Sequence, residues 1–169
     1  MFDELPRPLL FAHRGASRHA PENTLAAFEL ALRTGAGVLE MDVRATRDGR
    51  VVVLHDALLA RTTDGRGPVA ALDYVDVLRL DAGFSFRTRA GFPFRGKGLR
   101  VPLLAEVIAA FPQAAFNIEI KSRQPSIVGQ VLGILSRLRP SQVVLTSADD
   151  AIMRDAESRS PPFPLGLSY

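Results

Sequence analysis

The feature that most restricts the fold of this chain is a strand, a helix and a second strand within its first 44 residues. Residues 8–13 predict a buried strand that ends in polar residues at His13, and residues 37–44 predict a second strand. Between them, apolar residues recur at helical spacing from Leu25 to Leu32. Asn23 or Thr24 is the expected N-cap, and a glycine at 35 or 37 the expected stop. A strand–helix–strand unit of this length predicts a parallel pair with a right-handed crossover.

The next connection predicts a hairpin instead. Only residues 45–50 separate the second strand from the apolar run Val51–Leu54, which is too short for a crossover helix. Asp48-Gly49 is typical of a two-residue turn. Counting outward from that turn pairs Val43 with Leu54 and Asp42 with His55. Directly opposed residues share a face, so this register predicts that His55 lies beside Asp42.

After residue 101 the alternation of strands and helices resumes. We predict a helix over 103–111, a strand over 115–121, a helix over 126–138, a strand over 143–146, a helix over 149–159 and a last apolar run over 163–167. Residues 57–101 are rich in Gly, Arg and Phe, and predict an insertion rather than a second domain. The whole chain, residues 1–169, is therefore expected to be one α/β domain with a parallel sheet or barrel.

Bulk composition excludes several classes of protein. The chain is 47% hydrophobic and 23% charged, as in ordinary globular proteins, and its formal net charge is +3. The basic residues are scattered, which argues against nucleic-acid binding. Cysteine is absent, so disulfides and thiolate metal sites are excluded. No apolar run is long enough for a membrane span, and residues 1–6 are acidic where a signal peptide is basic, so we expect a cytoplasmic protein.

Acidic residues cluster on two of the predicted strands. Glu40 and Asp42 alternate with apolar residues on the second strand and share one face, and Glu119 and Lys121 share a face of a later strand. Two carboxylates 4 Å apart repel by about 4 kcal/mol at an effective dielectric of about 20. They form either the solvated face of a half-buried strand or a cation site.

The ends of three strands favour the cation site. His13-Arg14 ends the first strand, and ligands of parallel sheets bind where strands end. Three carboxylates, from Glu40, Asp42 and Glu119, favour one Ca²⁺ or Mg²⁺ ion over Zn²⁺. His13 and His55 would then flank the ion as general acid and base. Arg14 and Lys121 would bind an anion. The cation, the two histidines and these basic residues together indicate a small phosphate ester as substrate.

At these residues the sequence resembles the glycerophosphodiester phosphodiesterase family. The resemblance rests on seven short stretches in order, at residues 12–15, 21–24, 40–42, 46–49, 55–56, 61–64 and 117–121. It implies a TIM barrel with a small insertion and a divalent cation on Glu40, Asp42 and Glu119. It also implies acid and base roles for His13 and His55, phosphate contacts from Arg14 and Lys121, and release of glycerol 3-phosphate and an alcohol.

The chain departs from that family in length. A TIM barrel takes about 250 residues and eight strands, whereas we count about five barrel strands here, so the C-terminal third of the domain is expected to be missing. Two alternatives to hydrolysis stay open. One is a related lyase that stops at a cyclic phosphate. The other is a non-catalytic fragment or interaction module, in which the open barrel edges pair with a partner or with a second copy.

Overall fold

The computed structural model describes residues 8–122 and 127–168. The acidic segment 1–6 and the predicted helix start at 126 lie outside these residues. The strands are β1 Phe11–His13, β2 Val38–Ala45, β3 Val51–Val53, β4 Ala115–Ile120, β5 Gln142–Ser147 and β6 Leu165–Leu167. The helices are α1 Leu25–Arg33, α2 Tyr74–Val77, α3 Leu104–Ala110, α4 Val128–Leu138 and α5 Asp150–Ser158.

Five strands form a parallel sheet in the order β1-β2-β4-β5-β6, and β3 is antiparallel to β2. Strand β1 pairs with the start of β2 and β3 with its end, while β4 occupies the opposite edge of β2. The parallel α/β sheet and the number of barrel strands agree with the sequence-based prediction. No strand among the described residues follows β6.

The sheet has two different faces. Alternate residues of β2 and β4, including Leu39, Met41, Phe116 and Ile118, are fully buried in the main core with the helices. The other face begins with a small apolar cluster around Val38 and continues into the acidic residues. Because side chains alternate along a strand, the packing of one face against helices directs the acids to the other.

The β2–β3 hairpin differs from the prediction by one residue. Val43 pairs with Val53, and the Leu54 N–H donates to the Asp42 carbonyl at 2.9 Å, so neither predicted pairing, Val43 with Leu54 or Asp42 with His55, is correct. The turn holds three residues rather than two. Thr46 and Arg50 close it, and Gly49 within it has φ +73°. This is the three-residue hairpin in which a left-handed glycine follows a type I turn.

The predicted insertion packs on the outer end of β3. Its apolar residues Leu59, Val69 and Val77 join Val52 and Leu54 in a second, smaller buried cluster. Its structure consists of two 3₁₀ turns, Leu59–Arg61 and Val69–Ala71, the short helix α2 and irregular loops. No helix in the described part of the chain is long and apolar enough to cross a membrane.

Candidate active site

Three carboxylates lie together on the inner face of the sheet. Glu40 and Asp42 are on β2, Glu119 is on β4, and each offers an oxygen within 4.8 Å of the others. The parallel register explains this, because Asp42 lies directly beside Glu119. All three residues are buried. The chemistry of the donor set, three carboxylate groups without a thiolate, fits a hard divalent cation.

One oxygen of this cluster is left without a hydrogen bond. Asp42 Oδ1 is buried and accepts none from the residues that the structure describes, although Lys121 Nζ lies 3.5 Å away. An unpaired buried carboxylate oxygen is costly. A cation bound by the three carboxylates would satisfy this oxygen, so the residues present fit a divalent metal.

Two basic residues border the carboxylates. Lys121 Nζ donates to Glu119 Oε1 at 2.5 Å, and Arg14 Nε lies 3.2 Å from Asp42 Oδ2. Ser168, just beyond β6, also donates to Glu119, at 2.8 Å. These contacts place both proposed anion-binding residues at the rim of the acidic cluster.

Burial among the other two carboxylates raises the pKa of Glu40. Burial, together with repulsion from Asp42, raises the pKa of Glu40 to about 7, even though the Arg14 backbone N–H donates to its Oε2 at 2.7 Å. At Glu40, burial and the neighbouring carboxylates therefore outweigh the favourable contacts with Arg14. A bound divalent cation would favour the ionised form of this carboxyl group.

The loop after β1 is strained where it meets the acids. Arg14 and Asn23 both have φ of +58°, a left-handed conformation that non-glycine residues seldom adopt. From these conformations the Arg14 backbone reaches Glu40, and Asn23 Nδ2 donates to Asp42 Oδ2 at 3.0 Å. Backbone strain of this kind is found where a fold positions functional groups.

The two histidines occupy different environments. His13 ends β1 with its side chain 69% exposed, and its Nε2 lies 4.0 Å from Glu40 Oε2. His55 follows β3, and its Nδ1 lies 2.6 Å from Asp56 Oδ1. Its carbonyl accepts from Arg44 Nε at 2.6 Å, and Arg44 Nη1 also donates to the Lys121 carbonyl at 3.3 Å. Arg44 thus links the His55 loop to the end of β4.

A chain of ion pairs connects the two sides of the site. Glu22 accepts from Arg14 at 3.1 Å and from both terminal nitrogens of Arg61 at 2.7 and 2.8 Å. Arg61 Nε in turn donates to Asp56, which contacts His55. The hydrogen bond from Arg61 lowers the pKa of Asp56 to about 2, against its burial and together with the contact to His55. Arg14 and His55 are therefore coupled through three charged side chains.

Sequence reasoning gave too little weight to Glu22, Asn23 and Arg61. The N-cap of α1 is Thr24, whose hydroxyl accepts from the Ala27 N–H at 3.3 Å, so Glu22 and Asn23 are not needed to start the helix. Because Thr24 alone caps the helix, the two polar residues before it are available for another role, and this was the sequence signal for a place in the site. Arg61 belongs to a matched stretch, but nothing in its spacing indicates the bridge from Glu22 to Asp56. Lys121 and the three carboxylates lie where their strand positions predicted.

The sequence model of the glycerophosphoryl diester phosphodiesterase family matches residues 13–156. The chain belongs to that family. Among curated proteins it is similar to a glycerophosphodiester phosphodiesterase of Caldanaerobacter subterraneus, at 37% identity over 96% of this chain and 67% of the relative. It is also 36% identical, over 76% of its length and 41% of the relative, to a lysophospholipase D of Mus musculus.

Solved structures of the glycerophosphodiester phosphodiesterase family agree. The enzyme from Agrobacterium tumefaciens superimposes with a TM-score of 0.81 at 34% identity, over 93% of this chain and 65% of that one. A phosphodiesterase of Oleispira antarctica in complex with sn-glycerol-3-phosphate superimposes with a TM-score of 0.83 at 29% identity, over 98% of this chain and 67% of that one. The five parallel strands are therefore part of a TIM-type barrel. The chain spans 67%, 57% and 52% of three curated relatives, about half to two thirds of their length.

Proposed function

We propose that this protein hydrolyses glycerophosphodiesters to glycerol 3-phosphate and an alcohol with the help of one divalent cation, Ca²⁺ or Mg²⁺. The observation that carries the proposal is the buried group of three carboxylates with basic residues at its rim. Glu40, Asp42 and Glu119 would hold the cation. When bound, it supplies positive charge against the phosphate oxygens, as metal ions do in phosphoryl transfer.

Arg14 and Lys121 bind the phosphate in this proposal. Both side chains contact carboxylates of the proposed cation site, at 3.2 Å for Arg14 Nε and 2.5 Å for Lys121 Nζ. An anion beside the cation can therefore interact with both. The guanidinium of Arg14 offers paired donors to two phosphate oxygens, and Lys121 offers a compact point charge.

The histidines move protons. Asp56, ionised beside Arg61, favours the His55 tautomer with a proton on Nδ1, which leaves Nε2 able to accept one. One imidazole takes a proton from the attacking water, and the other gives a proton to the oxygen of the departing alcohol. His13, which lies 4.0 Å from Glu40, and His55 are the two candidates.

Phosphorus NMR of a glycerophosphodiester incubated with the protein and Ca²⁺ or Mg²⁺ tests this function. We expect the diester resonance to be replaced by that of glycerol 3-phosphate, and turnover to fall at least 1,000-fold in Glu40→Gln and His13→Ala with the fold retained. Retained turnover in either variant would overturn the assignment. Accumulation of a cyclic phosphate would indicate the lyase instead.

We also propose that the sheet edges support self-association. Strands β1 and β6 are the two ends of the sheet, and no other described strand pairs beyond them. Leu10, which precedes β1, and Leu167, the last residue of β6, are large apolar residues that are about half exposed, at 55% and 53%. Sheet edges with apolar side chains favour pairing with a second copy. Sedimentation equilibrium of the wild type and of Leu167→Lys tests this, and a monomeric wild type at 100 μM would contradict it.

A further inference from the structure

A small cavity lies beside the candidate active site, between the loop after β1 and the insertion. Its volume is about 200 Å³, and its lining includes Ser17, Glu22, Arg61, Ser85, Phe86 and Arg87. The proposed catalytic and cation-binding residues take no part in this lining. The cavity has no role in the mechanism described above.

The cavity is one side chain away from the proposed phosphate position. Its Glu22 accepts a hydrogen bond from Arg14 at 3.1 Å, and the same Arg14 side chain lies 3.2 Å from Asp42. Ser17, on the same loop, donates to the carbonyl of His13 at 3.0 Å. A diester whose phosphate contacts Arg14 can therefore extend one of its two ester branches toward this cavity.

The size of the cavity limits what that branch can be. Pockets for drug-sized ligands occupy about 300–1,000 Å³, so about 200 Å³ suits a small alcohol and is too small to enclose a long acyl chain. Phe86 forms an apolar wall, and its ring is fixed edge-on against Phe94 with centroids 5.3 Å apart. Ser17 and Ser85 also line the cavity.

The charge of the lining also restricts which ester branch can bind in the cavity. Among the described residues of the lining, Glu22 is the only acid, and its carboxylate already accepts hydrogen bonds from Arg14 and Arg61. Despite burial, these two guanidinium groups hold the pKa of Glu22 below its ordinary value, so it stays an anion committed to them. Arg87 adds a second positive charge, stacked 5.9 Å from the centre of the Phe92 ring. A cationic alcohol would meet excess positive charge.

We infer that this cavity receives the alcohol branch of the substrate and selects a neutral polyol, such as a second glycerol, over a quaternary ammonium alcohol such as choline. The inference rests on the proposed phosphodiesterase function and adds its substrate class. Hydroxyl groups of the polyol would bind to serine and arginine side chains, while repulsion from Arg87, whose charge adds to that of the paired Arg61, would disfavour the ammonium.

Kinetics with two substrates test the inference. We expect kcat/KM for glycerophosphoglycerol to exceed that for glycerophosphocholine at least 10-fold, and Arg87→Glu to reduce this ratio at least 10-fold. Arg89→Glu is the matched control, because Arg89 is exposed nearby but does not line the cavity. It should change the ratio less than 2-fold. Arg87 is exposed as well, so both variants should fold, which circular dichroism verifies.

Each outcome bears on one of the two proposals. Turnover of both substrates at equal kcat/KM would overturn the selective cavity and leave the phosphodiesterase function standing. If Arg89→Glu shifts the kcat/KM ratio of the two substrates as much as Arg87→Glu does, the selective cavity is also overturned. The overall positive charge of this surface, rather than the cavity, would then explain the preference. Dissociation constants for both diesters are measured by calorimetry on His55→Ala. Equal dissociation constants for the two diesters would contradict the selective cavity, and absence of turnover in the wild type would contradict the function.

Discussion

Asn23 holds Asp42 from a strained backbone. Its side-chain amide donates to Asp42 Oδ2 at 3.0 Å while its φ is +58°, and both residues are almost fully buried. The hydrogen bond fixes one carboxylate oxygen, and the other oxygen, Oδ1, is the one left without a hydrogen bond among the described residues. Asn23 is therefore a positioning residue for the proposed cation site.

Two substitutions separate the backbone of Asn23 from its amide. Asn23→Gly loses the hydrogen bond to Asp42 but tolerates the positive φ. Asn23→Ala loses the same hydrogen bond and also strains the backbone, because alanine disfavours a positive φ. We expect both variants to bind Ca²⁺ about 10-fold more weakly by calorimetry. We expect Asn23→Ala to be less stable than Asn23→Gly by about 1 kcal/mol in urea denaturation. Unchanged Ca²⁺ affinity in both variants would show that Asn23 does not position Asp42.

Gly15 should not accept a side chain. Its φ is +78°, and a Cβ placed there would lie 2.7 Å from the backbone carbon of Ala27 in α1. We expect Gly15→Ala to lower the free energy of unfolding by about 3 kcal/mol, combining left-handed strain with a clash in a packed contact.

Gly35→Ala is the control for that clash. Gly35 has φ +92°, but no atom lies within 4 Å of the position that a Cβ would take, so only the conformational strain of about 1 kcal/mol is expected. Urea denaturation of both variants measures the difference. Equal losses of stability would contradict a close approach of Gly15 to α1.

Arg61 should stabilise the protein in a pH-dependent way. Its hydrogen bond is the main cause that lowers the pKa of Asp56 to about 2, from 3.8. A lowered pKa stabilises the folded state above the unfolded value, and this contribution is lost as the pH falls through about 2. Because Asp56 is partly solvated, we expect Arg61→Met to cost about 1 kcal/mol at pH 7. The cost should disappear near pH 2.

Urea denaturation of Arg61→Met between pH 2 and pH 7 checks this, with Arg159→Met as control. Arg159, the residue after α5, pairs with the surface residue Asp155 at 2.9 Å, so Arg159→Met should cost less than about 0.5 kcal/mol at any pH. Arg61 also lowers the pKa of Glu22, so a cost for Arg61→Met that is constant across this range would show that Arg61 shifts the titration of neither Asp56 nor Glu22.

Strand alternation made the acidic cluster predictable. Glu40, Asp42 and Glu119 could be assigned to one face because apolar neighbours on β2 and β4 require the opposite face for the core. The predicted ends of α1 and α5 likewise lie within a few residues of the observed ends, because these helices begin at the side-chain caps Thr24 and Asp149. These features depend on local sequence alone.

The hairpin register and the ion-pair chain could not be predicted in the same way. Asp48-Gly49 suits both a two-residue and a three-residue turn, and the choice depends on Thr46 pairing with Arg50. The contacts of Glu22 with Arg61, and of Asn23 with Asp42, join segments 39 and 19 residues apart. Only the folded arrangement of the loops brings these residues together.

Calorimetric titration of Ca²⁺ and Mg²⁺ tests whether Glu40, Asp42 and Glu119 bind one divalent cation. We expect one ion per chain for the wild type, at least 100-fold weaker binding in Glu40→Gln and Asp42→Asn, and unchanged binding in Glu157→Gln, an exposed acid of α5. Binding that Glu40→Gln and Asp42→Asn leave intact, or no binding by the wild type, would contradict this assignment.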